Sequence, residues 1–181
     1  MGKIKILLLS EVKDKVLVEL RNHLQNLFNL DIEIISKRQD INFAYNEKRK
    51  QYSAEEILKN FEKNKDKNYE KWLFIVDADL YCGGLNFVFG VANPYSGVSI
   101  ISLTRLKQQF YGKSENEGLY IERIKKEATH ELGHLFYLNH CQNKKCVMRF
   151  SNSLYETDEK NSFFCDRCKK ILIYNINQIR T

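Results

Sequence analysis

The sequence has few of the prolines and glycines that break secondary structure or form flexible linkers between domains. Pro94 is the only proline among 181 residues, and the eight glycines form no glycine-rich linker. Repeats and low-complexity tracts are also missing. The hydrophobic share of 43% and the aromatic share of 12% are typical of a globular protein and argue against intrinsic disorder. A chain of this length predicts a single domain, with room for at most a small appendage.

Long hydrophobic runs are missing as well. Residues 4–9 are apolar except for Lys5, and this run is far shorter than the roughly 20 residues that a transmembrane helix needs. No cleavage site of a signal peptide flanks the run. It is better explained as a buried first strand, and we expect a cytoplasmic protein without membrane contact.

The sequence has no dense block of like charge, although its formal net charge is +6. The lysines are scattered, and the densest basic patches are residues 48–50 and the pair Lys144 and Lys145. Binding to nucleic acid usually requires basic residues that are gathered on one face. We therefore expect ordinary solvated lysines and no nucleic-acid partner.

Histidine is rare, but three of the four histidines lie within residues 130–140. In the pattern His130-Glu131-x-x-His134, two imidazoles one helical turn apart share a face and can reach one metal ion. Such a pair also occurs by chance on a solvated helix, and the nearby His140 and cysteines favour metal. His140 is the obvious third ligand if the helix ends near Tyr137 and the chain doubles back. We expect His23 at the surface, without a function.

The residue types in this pattern fit hydrolysis of a peptide bond, without excluding another amide. Zinc lowers the pKa of a bound water from about 15.7 to roughly 7. Glu131 would accept a proton from this zinc-activated water and pass it to the leaving amine. The sequence therefore predicts a catalytic zinc with Glu131 as general base.

The cysteines form two close pairs and one outlier. Four residues separate Cys141 from Cys146, and two separate Cys165 from Cys168. Pairs at these spacings are typical of a closed tetrahedral zinc site, which would be structural because no position stays open. Disulfides or unrelated buried thiols are the alternatives, and a reducing compartment favours metal. We interpret Cys82 as an unpaired, semi-buried apolar residue.

The hydrophobic periodicity predicts an α/β domain with a mixed sheet. Residues 1–137 would form an α/β part that ends in the helix with the histidines, and residues 138–181 a small C-terminal subdomain held by zinc. We expect strands at residues 3–10, 31–36, 71–79, 85–92 and 98–103, the last two as a hairpin. Helices are predicted at residues 11–28, 53–61 and 116–137, and from about Cys165 onward, with a loop at 37–52 and a helix end in the run 63–68.

The extended pattern is similar to that of the archaemetzincins, a branch of the metzincin zinc metallopeptidases. Its elements are His130-Glu131-x-x-His134, His140-Cys141, Cys146-Val147-Met148 and Cys165-x-x-Cys168. The upstream stretches YNEKRKQYSAEEIL, VDADLY and LNFVFG also resemble this family, so the likeness extends over nearly the whole chain.

The resemblance implies a twisted mixed sheet with an antiparallel edge strand, an active-site helix, and two zinc ions in a peptidase. We expect a monomer, the default for a small domain of this type. Met148 would pack beneath the histidine ligands, and residues 85–92 would bind an extended peptide or protein substrate by strand addition. The implied ligands of the catalytic zinc are His130, His134 and His140. Those implied for the structural zinc are Cys141, Cys146, Cys165 and Cys168.

The sequence departs from the family pattern at Tyr137, where metzincins usually have glycine. A tyrosine in the left-handed conformation would cost about 1–2 kcal/mol. The turn would then be made at Asn139, or the helix would run longer and His140 would approach by another path. The bulky ring could also fill part of the cleft. A catalytically weak or inactive zinc-stabilised peptide-binding module is therefore the alternative to a metallopeptidase, and a nucleic-acid-binding zinc ribbon is a third hypothesis.

Overall fold

The computed structural model describes residues 3–63, 65 and 71–180. Eight strands and five α-helices lie within these residues. The strands are β1 (Lys3–Leu8), β2 (Asp31–Ser36), β3 (Tyr45–Asn46), β4 (Gln51–Ser53), β5 (Lys71–Val76), β6 (Leu80–Tyr81), β7 (Gly90–Asn93) and β8 (Val98–Ser102). The helices are α1 (Asp14–Phe28), α2 (Ala54–Glu62), α3 (Glu117–Leu135), α4 (Leu154–Glu159) and α5 (Asp166–Arg180).

Five strands form the main sheet, in the order β2-β1-β5-β8-β7. The first four are parallel, and β7 pairs antiparallel with β8 at the edge. All residues of β5 and β8 are buried, as expected for strands covered on both faces. The predicted mixed sheet with an antiparallel edge strand is therefore confirmed.

Alternate residues of the central strands pack against helices on opposite faces of this sheet. Leu73 and Ile75 of β5 belong to the hydrophobic cluster that includes α1 and α3, and Phe74 belongs to the cluster that includes α2. The stripe of α1 that faces the sheet consists of Val16, Leu20, Leu24 and Phe28. The first strand, the three predicted helices before residue 137 and the C-terminal helix all form, and their ends differ by a few residues.

Several elements differ from the prediction. The expected loop at residues 37–52 contains β3 and β4, which form a second sheet with β6 in the order β3-β4-β6. The expected strand at 85–92 begins only at Gly90, and Val88 makes an isolated bridge to Leu80. Helix α4 was not predicted. The run 63–68, expected to end α2, lies outside the described residues except for Lys63 and Lys65.

The segment after α3 packs on the same core as the sheet. Leu138, Val147 and Met148 belong to the cluster that contains Ile6 and α1, and so does Leu172 of α5. We retain the division into residues 1–137 and 138–181 as a proposal. No helix in the described part of the chain is long and apolar enough to cross a membrane.

Candidate active site and metal centres

Helix α3 holds His130 in a buried position and His134 in a half-buried one. The side chain of Asn116 caps the helix by accepting a hydrogen bond from the Leu119 amide at 3.0 Å. His130 and His134 lie on one face in the last two turns, and their Nε2 atoms are 3.1 Å apart. Two nitrogens that bind one tetrahedral zinc at about 2.0–2.1 Å would lie roughly 3.4 Å apart, so this spacing fits a shared zinc ion.

Tyr137 ends the helix by adopting the left-handed conformation itself, with φ of +62°. The Tyr137 amide donates to the carbonyl of His134 at 2.9 Å, and the Leu138 amide to that of Gly133 at 3.1 Å. These two bonds are those of a Schellman motif, the usual end of a helix whose next residue is left-handed. The two expected alternatives, a turn at Asn139 and a longer helix, are therefore wrong.

The reversal at Tyr137 brings His140 back to the other two histidines. Its ring centroid is 5.3 Å from that of His130 and 4.8 Å from that of His134. The ligand atoms of the three imidazoles all lie within 4.8 Å of one another. The Tyr137 ring does not line the cleft and lies 5.3 Å from the Lys71 ammonium, so it neither fills the cleft nor displaces His140.

Backbone carbonyls hold the Nδ1 atoms of the helical histidines. Nδ1 of His130 is 2.8 Å from the Val147 carbonyl, and Nδ1 of His134 is 2.7 Å from the Leu138 carbonyl. Because a carbonyl can only accept, each Nδ1 carries the proton and leaves Nε2 free for a metal ion. Burial lowers the pKa of His130 well below its usual value and that of His134 to about 4. Both imidazoles are therefore neutral near pH 7, as metal binding requires.

Glu131 is 5% exposed and points into the same cleft. Burial raises its pKa well above the usual value, the Glu127 carboxylate adds to this effect, and the Lys160 ammonium opposes it. The side chain passes directly against Gly90 of β7: a Cβ atom on Gly90 would lie 2.6 Å from Cγ of Glu131. This role of Gly90 was not predicted from the sequence, although a glycine inside a strand often marks such a close approach.

The three histidines and Glu131 line a cleft of about 530 Å³. Edge strand β7 and the segment before it form part of its wall, with Phe87, Val88 and Phe89. Phe150 also lines the cleft, 5.0 Å from the His140 ring. Glu127 and Lys160 add two charged groups to an otherwise largely apolar wall.

The wall at residues 85–87 is held by side chains that the sequence analysis did not single out. Arg49 donates to the carbonyls of Leu85 and Asn86, at 2.7 and 3.1 Å. The Arg105 guanidinium lies 4.2 Å from the Phe87 ring and is paired with Asp79. Arg49 lies in the upstream stretch YNEKRKQYSAEEIL and Asp79 in VDADLY. These stretches therefore support the cleft from outside.

The four predicted cysteines converge at a second centre. Cys141, Cys146, Cys165 and Cys168 have sulfur atoms that all lie within 4.8 Å of one another, and all four are free. The Sγ atoms of Cys141 and Cys165 are 3.8 Å apart, the spacing of about 3.8 Å that tetrahedral zinc with bonds of roughly 2.3 Å imposes. The two clusters could thus bind two zinc ions.

One loop serves both centres. His140 and Cys141 are adjacent, and the Cys141 amide donates to the Met148 carbonyl at 2.9 Å. Val147, whose carbonyl accepts from His130, follows Cys146. Met148 is fully buried against Gly133, where a Cβ atom would lie 2.5 Å from Sδ. Met148 therefore packs against α3 at Gly133, one residue before His134; that it lies beneath the histidine ligands stays a prediction.

The structure agrees with the prediction for Cys82 but not with the one for His23. Cys82 is half-buried and unpaired as expected; it lies in the cleft wall, and burial raises the pKa of its thiol to about 11. The interpretation of His23 as a surface residue is wrong. Its ring is half-buried, 3.2 Å from the Thr129 hydroxyl and 3.1 Å from the Ser162 carbonyl, because α1 packs against α3 at this point.

Three neutral imidazoles beside a buried carboxylate are suited to hydrolysing an amide bond with a metal ion. The class of protein that combines this site with a mixed sheet and an antiparallel edge strand is the zinc metallopeptidases.

Comparisons with known proteins define the family within this class. Residues 1–173 match the model of peptidase family M54. The archaemetzincin of Pyrococcus abyssi is 40% identical over 184 residues, which cover 98% of each chain. This chain belongs to peptidase family M54, the archaemetzincins.

Solved structures agree with this assignment. The crystal structure of archaemetzincin from Methanopyrus kandleri superposes with a TM-score of 0.85 at 32% identity, over 97% of this chain and 96% of the other. A zinc-dependent peptidase from Methanocorpusculum labreanum has a TM-score of 0.85 at 30% identity, over 93% of this chain and 99% of the other. The fold and the hydrolase class predicted from the sequence are thereby confirmed.

Proposed function

We propose that this protein hydrolyses peptide bonds, with His130, His134 and His140 as ligands of a catalytic zinc and Glu131 as general base. The observation that carries the proposal is the convergence of three imidazoles next to a buried carboxylate in one cleft. Cys141, Cys146, Cys165 and Cys168 would hold a second, structural zinc. We further propose a monomer in the cytoplasm, without a nucleic-acid or membrane partner.

The chemistry divides between the metal and the chain. Zinc, when bound, lowers the pKa of water and polarises a carbonyl oxygen. Glu131 accepts a proton from the attacking water, whose oxygen bonds to the carbonyl carbon. When the C–N bond breaks, Glu131 returns the proton to the leaving amine. A carboxylate whose pKa is raised by burial suits both steps, because it holds the proton more firmly than an exposed one.

The substrate would bind as an extended strand along β7. This strand is the last in the order of the main sheet, so one of its edges is available for pairing. Main-chain hydrogen bonds would supply affinity along the strand, and side-chain pockets would supply specificity. Gly90 lies in β7 beside Glu131, and a peptide paired with β7 would therefore pass over the base.

The alternative of an inactive peptide-binding module rested on Tyr137 displacing His140. Tyr137 takes the left-handed turn and His140 lies with the other imidazoles, so this reason for preferring the alternative no longer holds. The zinc-ribbon hypothesis likewise has no supporting observation among the described residues.

The experiment that tests the mechanism replaces Glu131 with Gln. We expect about two zinc ions per chain in both proteins, and a loss of peptide cleavage of at least about a hundredfold in Glu131→Gln. Glu117→Gln, at the exposed start of the same helix, is the matched control and should retain activity. Undiminished cleavage by Glu131→Gln would refute the role of this carboxylate.

A further inference from the structure

Two buried charges in the cleft act on the proposed mechanism only through the pKa of Glu131 and have no other role in it. Glu127 precedes His130 by three residues and Glu131 by four, so it lies one helical turn away, about 5.4 Å along α3. Lys160 follows α4. Its Nζ is 3.1 Å from Oε1 of Glu127, and the two side chains are 1% and 5% exposed. Both residues line the same cleft as the three histidines.

This ion pair is not what attaches α4 to α3. Arg123 pairs with Asp158 through contacts of 2.7 and 2.6 Å. Lys126 donates to the carbonyls of Thr157 and Asp158, at 3.0 and 3.1 Å. These contacts already join the two helices. A buried ion pair also adds little stability over an apolar pair of similar volume, so stability does not account for its presence.

The surroundings of the pair indicate what it can contact. Phe87, Val88 and Phe150 line the same cleft and are apolar. Glu127 and Lys160 are therefore charged groups in a cleft with apolar walls, where a substrate side chain that enters can contact them. The Lys160 ammonium faces Oε1 of Glu127 and also donates to the Arg149 carbonyl at 3.3 Å, which leaves one of its three protons for a ligand. A carboxylate accepts through two oxygens, so the pair can still donate to and accept from one ligand group at the same time.

We propose that Glu127 and Lys160 determine the specificity of the cleft by selecting a substrate side chain that ends in a neutral carboxamide, glutamine above all, next to the scissile bond. This inference rests on the proposed function of the cleft. A carboxamide has both donors and an acceptor. A charged end group would add an unpaired charge to a buried site, and an aliphatic one would displace water without replacing its hydrogen bonds.

The test measures binding, so its result does not depend on turnover. Four peptide hydroxamates that differ only in one side chain, glutamine, methionine, glutamate or lysine, are titrated into the zinc-loaded protein by calorimetry. Glutamine and methionine have similar lengths, so their comparison isolates the polar end. We expect the glutamine compound to bind at least about tenfold more tightly than each of the others.

Variants locate the source of the preference. In the double variant Glu127→Leu with Lys160→Met, the order of glutamine and methionine should reverse, because the charges are replaced by apolar groups of similar size. The control, Arg123→Gln with Asp158→Asn, removes an ion pair between the same helices and should keep the wild-type order. Equal binding of glutamine and methionine by the wild type, or an unchanged preference in the double variant, overturns the inference.

The two proposals fail in different ways. If no peptide is cleaved but the hydroxamates bind in the expected order, the proposed hydrolysis fails, while the preference of Glu127 and Lys160 for a carboxamide side chain stands. If peptides are cleaved through Glu131 while the hydroxamates bind equally, the function stands and the inference fails. The wild-type series gives this answer even if the double variant does not fold.

Discussion

The histidine centre and the cysteine centre are separated by one peptide bond, yet the chain builds them in different ways. Two of the three histidines lie on α3, a helix that the core and its N-terminal cap hold in place. By contrast, Cys141 and Cys146 lie in irregular chain, Cys165 precedes α5, and only Cys168 is in a helix. We therefore expect that the fold prepares the histidine centre for its metal, whereas the cysteine centre needs its metal in order to fold.

We consequently expect the histidine centre to depend on the metal of the cysteine centre, and the cysteine centre not to depend on the catalytic metal. The segment from Cys141 to Met148 supplies two sulfur ligands, and it also holds His130 through the Val147 carbonyl. Losing the structural metal would release this segment and the adjacent His140. Losing the catalytic metal would leave the sulfur ligands where they are.

The largest effect should come from Cys168→Ser. Binding of structural zinc supplies about 10–16 kcal/mol in small zinc domains, as much as the roughly 5–15 kcal/mol that stabilises a whole domain. We expect Cys168→Ser to lose both zinc ions and to melt far below the wild type. His134→Ala should lose only the catalytic zinc. Zinc content and thermal unfolding measure both outcomes, and normal catalytic zinc in Cys168→Ser would contradict the one-way dependence.

The histidine centre should also make the stability of the fold depend on pH. Burial lowers the pKa of all four histidines, the three of the site and His23, so the unfolded chain binds protons near pH 6.5 that the folded, catalytic-zinc-free chain does not bind. Stability from these groups is present above about pH 6.5 and is lost as the pH falls toward 4. Glu131, whose pKa is raised, acts in the opposite direction, but it is one group against four.

We therefore expect the protein that retains only its structural zinc to lose about 1–3 kcal/mol of unfolding free energy per pH unit between pH 6.5 and 5. Urea unfolding at several pH values measures this slope. Glu131→Gln removes the opposing group and should make the slope steeper. A flat profile in this range would mean that the imidazoles are not buried as neutral groups.

The same contrast explains what the sequence could predict. The ligands of both centres follow from spacing, since turns of helix and pairs of cysteines repeat at fixed intervals. Strands such as β5 and helices such as α1 follow from periodicity over many residues. Strands β3 and β4 span only two and three residues, too few to show a period, and their pairing depends on β6 far along the chain.

The parts of the cleft that were missed depend on contacts between distant residues. Lys160 was expected to be one of many solvated lysines, and nothing near it in sequence distinguishes it from them. Its burial depends on Glu127, which lies 33 positions earlier on another helix. Gly90 acquires its role only when β7 lies beside α3. Such residues become visible when the tertiary structure brings the elements together.

The smallest effect concerns Tyr137, where the helix-borne ligands meet the irregular segment. Its left-handed conformation costs any residue with a Cβ about 1–2 kcal/mol relative to glycine. The Tyr137 ring offsets part of this cost by a cation–π contact with the Lys71 ammonium, which lies 5.3 Å from the ring centroid. Such a contact stabilises by about 0.5–1 kcal/mol. Tyr137→Ala keeps the backbone cost and loses the ring, so it should be less stable than the wild type.

Tyr137→Gly loses the ring but also the backbone cost, and it should be about 1 kcal/mol more stable than Tyr137→Ala. Both variants should retain two zinc ions, because the turn itself is formed by backbone hydrogen bonds of Tyr137 and Leu138. Urea unfolding of the zinc-loaded variants measures the difference. If Tyr137→Ala equals Tyr137→Gly in stability, the chain does not turn at this residue, and the path that brings His140 to the other imidazoles must be different.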